Sequence, residues 1–162
     1  MPSGYTSALS HLPTDWIIIG AFVVLVMILS LRMGTQVAAS LAFAAPVAFY
    51  VFNAASGAAF LSGLVGTFSG GTGSAALFGV VFAVFFIMTY RIIGSYGMTG
   101  AYPIQAVAGA FSATIILLVF YLQIPALSAL WHFGPQVQAI FSEKFRLFWL
   151  LGSYAALAFI RR

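Results

Sequence analysis

Two long apolar runs, separated by a single arginine, constrain the fold of this chain more than any other feature. In residues 16–31 no side chain is more polar than that of Ser30, and a second run covers residues 33–51 after Arg32. A helix of about 17–25 apolar residues crosses the hydrocarbon core of a bilayer. The pattern therefore predicts two antiparallel membrane helices that turn at residues 32–34.

The composition extends this prediction to the whole chain. Hydrophobic residues make up 63% of the sequence and charged residues only 5%, whereas soluble domains carry about 25% charged residues. A water-exposed surface cannot be built from so few charges, so lipid is the expected main partner of the outer surface. The net charge of +4 comes from a few basic residues at predicted helix ends. Nucleic-acid binding would require a continuous basic face, which the sequence lacks.

The predicted fold class is an all-α integral membrane protein built from two helical hairpins, as a single membrane domain over residues 1–162. The four expected spans cover residues 15–31, 35–53, 75–90 and 104–122. A C-terminal helix over 135–160 is amphipathic at its start and apolar from residue 147. Either it lies along the interface, which we slightly favour because of Lys144 and Arg146, or it forms a short fifth span.

Small residues recur at helical spacing and predict close helix packing in lipid. They lie in the second span, in the segment that follows it and in the fourth span: Ser40, Ala58, Ser62, Gly66, Gly70, Ala106, Gly109, Ala110 and Ala113. These faces suggest a homo-oligomer or a subunit of a membrane complex. Residues 55–74 form either a short interfacial or re-entrant helix before a glycine-rich break at 69–74, or a linker between the hairpins.

The basic residues predict the orientation. Arg32 and Arg91 lie in the two short turns, with Gly34 completing the first turn, and the positive-inside rule places both turns in the cytoplasm. The N-terminus and residues 55–74 then face outside. Asp15 lies in the first turn of the first span, where the helix dipole favours a negative charge. No cleaved signal peptide is expected, so the first span would act as its own signal.

Candidate chemistry is sparse, which argues against an enzyme. His11 and His132 are far apart, the chain holds two acidic residues and no cysteine, and no metal site is expected. The combination Ser10, His11 and Asp15 lacks a nucleophile elbow. The glycine-rich residues 66–74 lack the lysine of a phosphate-binding loop. No cofactor is therefore predicted, and the spans contain no charge that would indicate a transport site.

Several motif residues are similar to those of one known family. They comprise an aspartate entering the first span, isoleucines behind it, an arginine and glycine in the turn, a Ser-Leu pair and a Gly-Ala pair: Asp15, Ile17, Ile18, Ile19, Arg32, Gly34, Ser40, Leu41, Gly109 and Ala110. In this respect the chain resembles the colicin V production protein family (CvpA). It departs from that family where Met33 separates the arginine from the glycine and where Ser112-Ala113 replaces Arg-Gly.

The resemblance implies a multi-pass protein of the bacterial inner membrane, tied to colicin export and envelope physiology, with an amphipathic C-terminal helix. The leading hypothesis is therefore a non-enzymatic membrane protein that supports secretion or envelope homeostasis. One alternative is a small channel, a holin-like pore or a transporter subunit. Another is a structural subunit of a larger membrane assembly.

Overall fold

The computed structural model describes residues 14–57, 71–94, 102–128 and 130–160, and these residues form helices joined by short connections. Five helices are long and two are short: α1 (Thr14–Met33), α2 (Gln36–Gly57), α3 (Gly71–Gly94), α4 (Pro103–Tyr121), α5 (Pro125–Ser128), α6 (Pro135–Ile140) and α7 (Glu143–Ile160). Helices α1 to α4 are long and apolar enough to cross a membrane. The predictions of an all-α membrane protein and of four spanning helices are confirmed.

Helix α4 lies at the centre of the bundle, where it packs against α1, α2 and α7. Its buried residues are distributed around the helix and include Ala106, Ala110, Ala113, Ile116 and Val119, which are fully enclosed. Helix α3 packs on α2 and α5 and leaves most of its surface outward. The apolar surfaces of α1 and α3 therefore form a large part of the surface that faces lipid.

The helices alternate in direction. Helices α2 and α4 run side by side in the same direction, because Ala38 packs near Ala110 whereas Ala45 packs near Ile116 and Phe120. Helices α1, α3 and α7 run the opposite way. The bundle thus has two ends, which we call the Asp15 end and the Arg32 end after residues in the first and last turns of α1.

Helix α7 lies alongside α4 and α2 at the depth of the spanning helices. Near its start, Trp149 and Leu150 pack with Val119 of α4. Its last residue, Ile160, lines a small cavity together with Thr35 and Gly109 at the Arg32 end. This placement favours the short fifth span among the two possibilities that the sequence left open.

Two sequence predictions about helix boundaries are wrong. The expected continuous helix over 135–160 is divided into α6 and α7 at Phe141, which has φ −99° and ψ 28°. Trp149 stabilises this division, since its indole N–H donates to the Ile140 carbonyl at 2.9 Å. The expected break at 69–74 is not present over residues 71–74, which belong to the first turn of α3. Packing of Phe78 against Ala48 and Phe52 outweighs the low helix propensity of this glycine-rich turn.

Helix α2 continues through Pro46, and α7 supplies the hydrogen bond that this proline removes. Proline has no N–H, so the carbonyl four residues earlier, that of Ala42, loses its intrahelical donor. The hydroxyl of Tyr154 in α7 donates to this carbonyl at 2.8 Å. In lipid an unpaired carbonyl is costly, so this bond both completes α2 and fixes α7 against it.

Candidate functional site: the cup at the Asp15 end

The polar side chains of the described residues converge most clearly at the Asp15 end, around the segment that connects α4 to α7. This segment includes α5 and α6 and encloses a cavity of about 430 Å³, which we call the cup. Its lining combines apolar and polar groups from α4, the connection, α6 and the first turn of α7: Tyr121, Leu122, Ile124, Pro125, Trp131, His132, Phe133, Gln138, Phe141, Ser142, Glu143 and Arg146. The cup is therefore a candidate site outside the lipid-facing surface.

Asp15 holds the rim of the cup. Its Oδ1 accepts a hydrogen bond from the Trp131 indole N–H at 3.1 Å, and its Oδ2 accepts one from the backbone N–H of Gly134 at 2.5 Å. Gly134 is the N-cap of α6 and Pro135 follows it as the first helical residue. A Cβ atom on Gly134 would lie 2.9 Å from Asp15 Oδ2, so a larger residue at this position would require the carboxylate to shift. Asp15 therefore ties α1 to α6.

Tyr121 and Gln138 hold the floor and wall of the cup in a similar way. The Tyr121 hydroxyl lies 2.7 Å from the Leu127 carbonyl and 3.0 Å from the Trp131 carbonyl. The Gln138 amide donates to the Phe133 carbonyl at 2.7 Å. A connection at the membrane surface exposes backbone groups that need partners. These side chains satisfy such groups, so their first role is to shape the connection.

The lining of the cup contains two charged side chains, of which one is exposed and one is partly buried. Arg146 forms an ion pair with Glu143 at 3.5 Å, one helical turn apart, and the Glu143 side chain is largely exposed. A surface pair of this kind contributes little to stability. Among the described residues, no group of three or more His, Cys, Asp or Glu side chains is placed to hold a metal ion. The geometry thus offers a shaped and partly polar surface more than a reactive centre.

The structure separates the predicted turn residues between the two ends. Asp15 lies at the cup, whereas Arg32, Gly34 and Arg91 lie at the Arg32 end. Gly34 has φ 89°, a left-handed conformation that favours glycine, and it joins α1 to α2 within a tight turn. Next to this turn, the Gln36 amide donates to the Met33 carbonyl at 2.9 Å and to the Tyr90 hydroxyl at 3.0 Å.

The small residues proposed for helix packing lie partly inside this chain and partly beyond the described residues. Those of α4 are all buried, and a Cβ on Gly109 would lie 3.3 Å from the Ala38 Cβ of α2. Ser40 is buried on α2 and its hydroxyl donates to the Gln36 carbonyl at 2.7 Å. Four further residues are outside the described ranges: Ala58, Ser62, Gly66 and Gly70. The small-residue faces of α2 and α4 thus contact each other.

Sequence reasoning missed the residues that bind Asp15 and Ala42. Trp131 and Gly134 are distant from Asp15 in sequence, and no pattern connects them. For Tyr154 the sequence does contain a signal, which is Pro46. This proline leaves one carbonyl of a membrane helix without its intrahelical donor, so a donor from another helix is required. The tyrosine of the last apolar segment was the available candidate.

In comparisons with known proteins, no family model, no curated protein and no solved structure matches the chain. The structural findings and the motif residues are therefore the basis for any functional proposal.

Proposed function

We propose that this chain is a non-catalytic, multi-pass scaffold protein of the bacterial inner membrane that supports secretion or envelope homeostasis. The resemblance of its motif residues to the colicin V production protein family supports the cellular role. The architecture supports the molecular role, a stable membrane body that holds or orients partner proteins.

The filled centre of the bundle is the observation that carries this proposal. Helix α4 packs against α1, α2 and α7, and the space between them is occupied by side chains such as Val26, Ile116 and Val119, each almost fully buried. A transporter or channel needs polar groups or water along its path. Within the described residues, dense apolar packing takes the place of such a path, and this favours a scaffold over a conduit through one copy.

The cup is the surface that we propose for contact with a partner. Trp131 of the cup is 41% exposed, its neighbour Leu130 is 57% exposed, and His132 is also exposed. Aromatic residues and exposed apolar side chains beside polar groups are typical of protein interfaces. Because Asp15 and Tyr121 fix the backbone beneath these residues, the surface is held in one shape before a partner binds.

The test combines native mass spectrometry with a flux assay. The protein is extracted gently with its own lipids, and its mass is measured intact. We expect a stoichiometric complex with another membrane protein, which replacement of Trp131 by alanine weakens. Replacement of another exposed aromatic residue by alanine, Phe159 near the opposite end of α7, should leave the complex intact. Liposomes that contain the purified protein should release ions no faster than liposomes without protein.

Two results would contradict the proposal. Ion or solute flux well above that of empty liposomes would make the chain a channel or transporter subunit. A protein that is extracted as a monomer or as a homo-oligomer alone, from cells that express it at its natural level, would exclude the partner-binding scaffold.

A further inference from the structure

A lipid-facing groove lies between α4 and α7 and has a volume of about 750 Å³. Its floor is made of Ser112, Gly152 and Ser153, and its walls include Phe111 and Phe148. Ile140 of α6 lies at the end of the groove towards the Asp15 end. The volume lies within the range of sites that bind small molecules.

The depth of the groove comes from its small floor residues. Ser112 and Ser153 are buried, so they lie well below the exposed rings of Phe111 and Phe148. A Cβ on Gly152 would meet no atom within 4 Å, so the space above this glycine is open. An open, mostly apolar groove with aromatic walls results, and its apolar lining suits an apolar chain.

The length of the groove corresponds to one leaflet of a bilayer. Phe145 and Ala156, which line its two ends on α7, are eleven residues apart. At 1.5 Å per residue this separation is about 16 Å, close to half of the roughly 30 Å hydrocarbon core. A partner helix from a second copy would instead follow the full length of α7, about 27 Å for its 18 residues.

A cation marks one end of the groove. Lys144 is exposed, and its Nζ lies 6.0 Å from the centre of the Phe145 ring that lines the groove. The neighbouring Glu143 pairs with Arg146. Lysine near the membrane surface attracts anionic lipid headgroups, so the position of Lys144 is complementary to a phosphate above an acyl chain.

From the shape, length and charge of this groove we propose that it binds one acyl chain of an anionic phospholipid, with the lipid phosphate beside Lys144. The bound lipid fills the space between α4 and α7 and covers their apolar surface. The bound lipid also links α6 to the part of α7 between Phe145 and Ala156, since both line the groove. This inference does not depend on the scaffold function.

The experiment measures bound lipid by native mass spectrometry after reconstitution in nanodiscs of phosphatidylglycerol and phosphatidylcholine in equal amounts. We expect wild-type protein to retain one phosphatidylglycerol molecule after the other lipids have been removed. Gly152→Leu and Ala156→Phe fill the groove and should each lower this occupancy at least fivefold. Gly79→Leu is the matched control, since a Cβ on the lipid-facing Gly79 of α3 also meets no atom within 4 Å.

A second pair of variants tests the headgroup. Lys144→Gln should remove the preference for phosphatidylglycerol over phosphatidylcholine while a lipid stays bound, and Lys144→Arg should keep the preference. Only variants that retain the wild-type melting temperature are compared. If one of the two groove variants fails this criterion, the other is enough for the test of the groove. Equal lipid occupancy in wild type and in the groove variants would overturn the proposal. Loss of a dimer instead of a lipid would assign the groove to a second copy, and an unchanged preference in Lys144→Gln would overturn the headgroup assignment.

Discussion

A single carboxylate organises the Asp15 end. Asp15 is one of two acidic residues in the chain, and both of its oxygens accept hydrogen bonds from the connection between α4 and α7. Bonds to an ionised acceptor are stronger than those between neutral groups. One residue in the first turn of α1 therefore fixes the position of a segment more than 110 residues later.

Replacement of Asp15 by alanine should destabilise the Asp15 end. The change leaves the Trp131 indole N–H and the Gly134 backbone N–H without their acceptor, and a lost partner of this kind costs about 1–3 kcal/mol. We expect a lower melting temperature in detergent micelles. Hydrogen–deuterium exchange at Gly134 should become at least tenfold faster, since its amide loses its bond.

Two control variants distinguish the loss of the Asp15 hydrogen bonds from the loss of a negative charge as such. Asp15→Asn keeps one acceptor oxygen and should lose less stability than Asp15→Ala. Glu143→Gln removes the other acid, which is largely exposed, and should change stability by less than about 1 kcal/mol. Unchanged exchange at Gly134 in Asp15→Ala would show that the carboxylate does not hold the cup.

At the scale of helices, α7 is attached to α2 by a hydrogen bond to the carbonyl that the proline of α2 leaves without an intrahelical donor. The Tyr154 hydroxyl serves the Ala42 carbonyl because Pro46 cannot. Removal of the hydroxyl in Tyr154→Phe should lower the free energy of unfolding by about 1 kcal/mol, in the range measured for hydrogen bonds between membrane helices. When Pro46→Ala supplies a backbone N–H for the same carbonyl, the cost of Tyr154→Phe should fall to less than half.

This double-mutant cycle is measured by reversible unfolding in mixed micelles. Tyr50→Phe is the control, since Tyr50 is 70% exposed on the same helix as Pro46 and its hydroxyl should contribute nothing measurable. If Tyr154→Phe costs the same with proline and with alanine at position 46, the tyrosine does not act by replacing the missing helical bond.

The long helices could be predicted from sequence, because uninterrupted apolar runs longer than a bilayer span leave few alternatives. The division between α6 and α7 could not be predicted. It depends on a hydrogen bond from Trp149 to the Ile140 carbonyl, which no local sequence pattern indicates. The cup was missed for a similar reason: Asp15, Tyr121 and Trp131 meet only through the packing of distant helices. Small residues indicated where α4 packs closely, but not which helix would face Gly109.

At the scale of the whole molecule, the basic residues are distributed unevenly between the two ends. Arg32 and Arg91 lie in the last turns of α1 and α3 at the Arg32 end. In the sequence, residues 161–162 are two further arginines that directly follow Ile160, the end of α7. Lys144 and Arg146 belong to the Asp15 end. With α7 as a fifth span, four of the six basic residues share one side, which agrees better with the positive-inside rule than an interfacial α7 does.

This arrangement predicts which residues are reached from outside the cell. The chain has no cysteine, so Gln136→Cys, Met33→Cys and Arg162→Cys each provide a single thiol for a membrane-impermeant maleimide. In intact spheroplasts we expect labelling of Gln136→Cys at the Asp15 end, and no labelling of the other two until the membrane is permeabilised. Labelling of Gln136→Cys and Arg162→Cys from the same side would show that α7 does not cross. Labelling of Met33→Cys alone or with Arg162→Cys would reverse the orientation that the arginines imply.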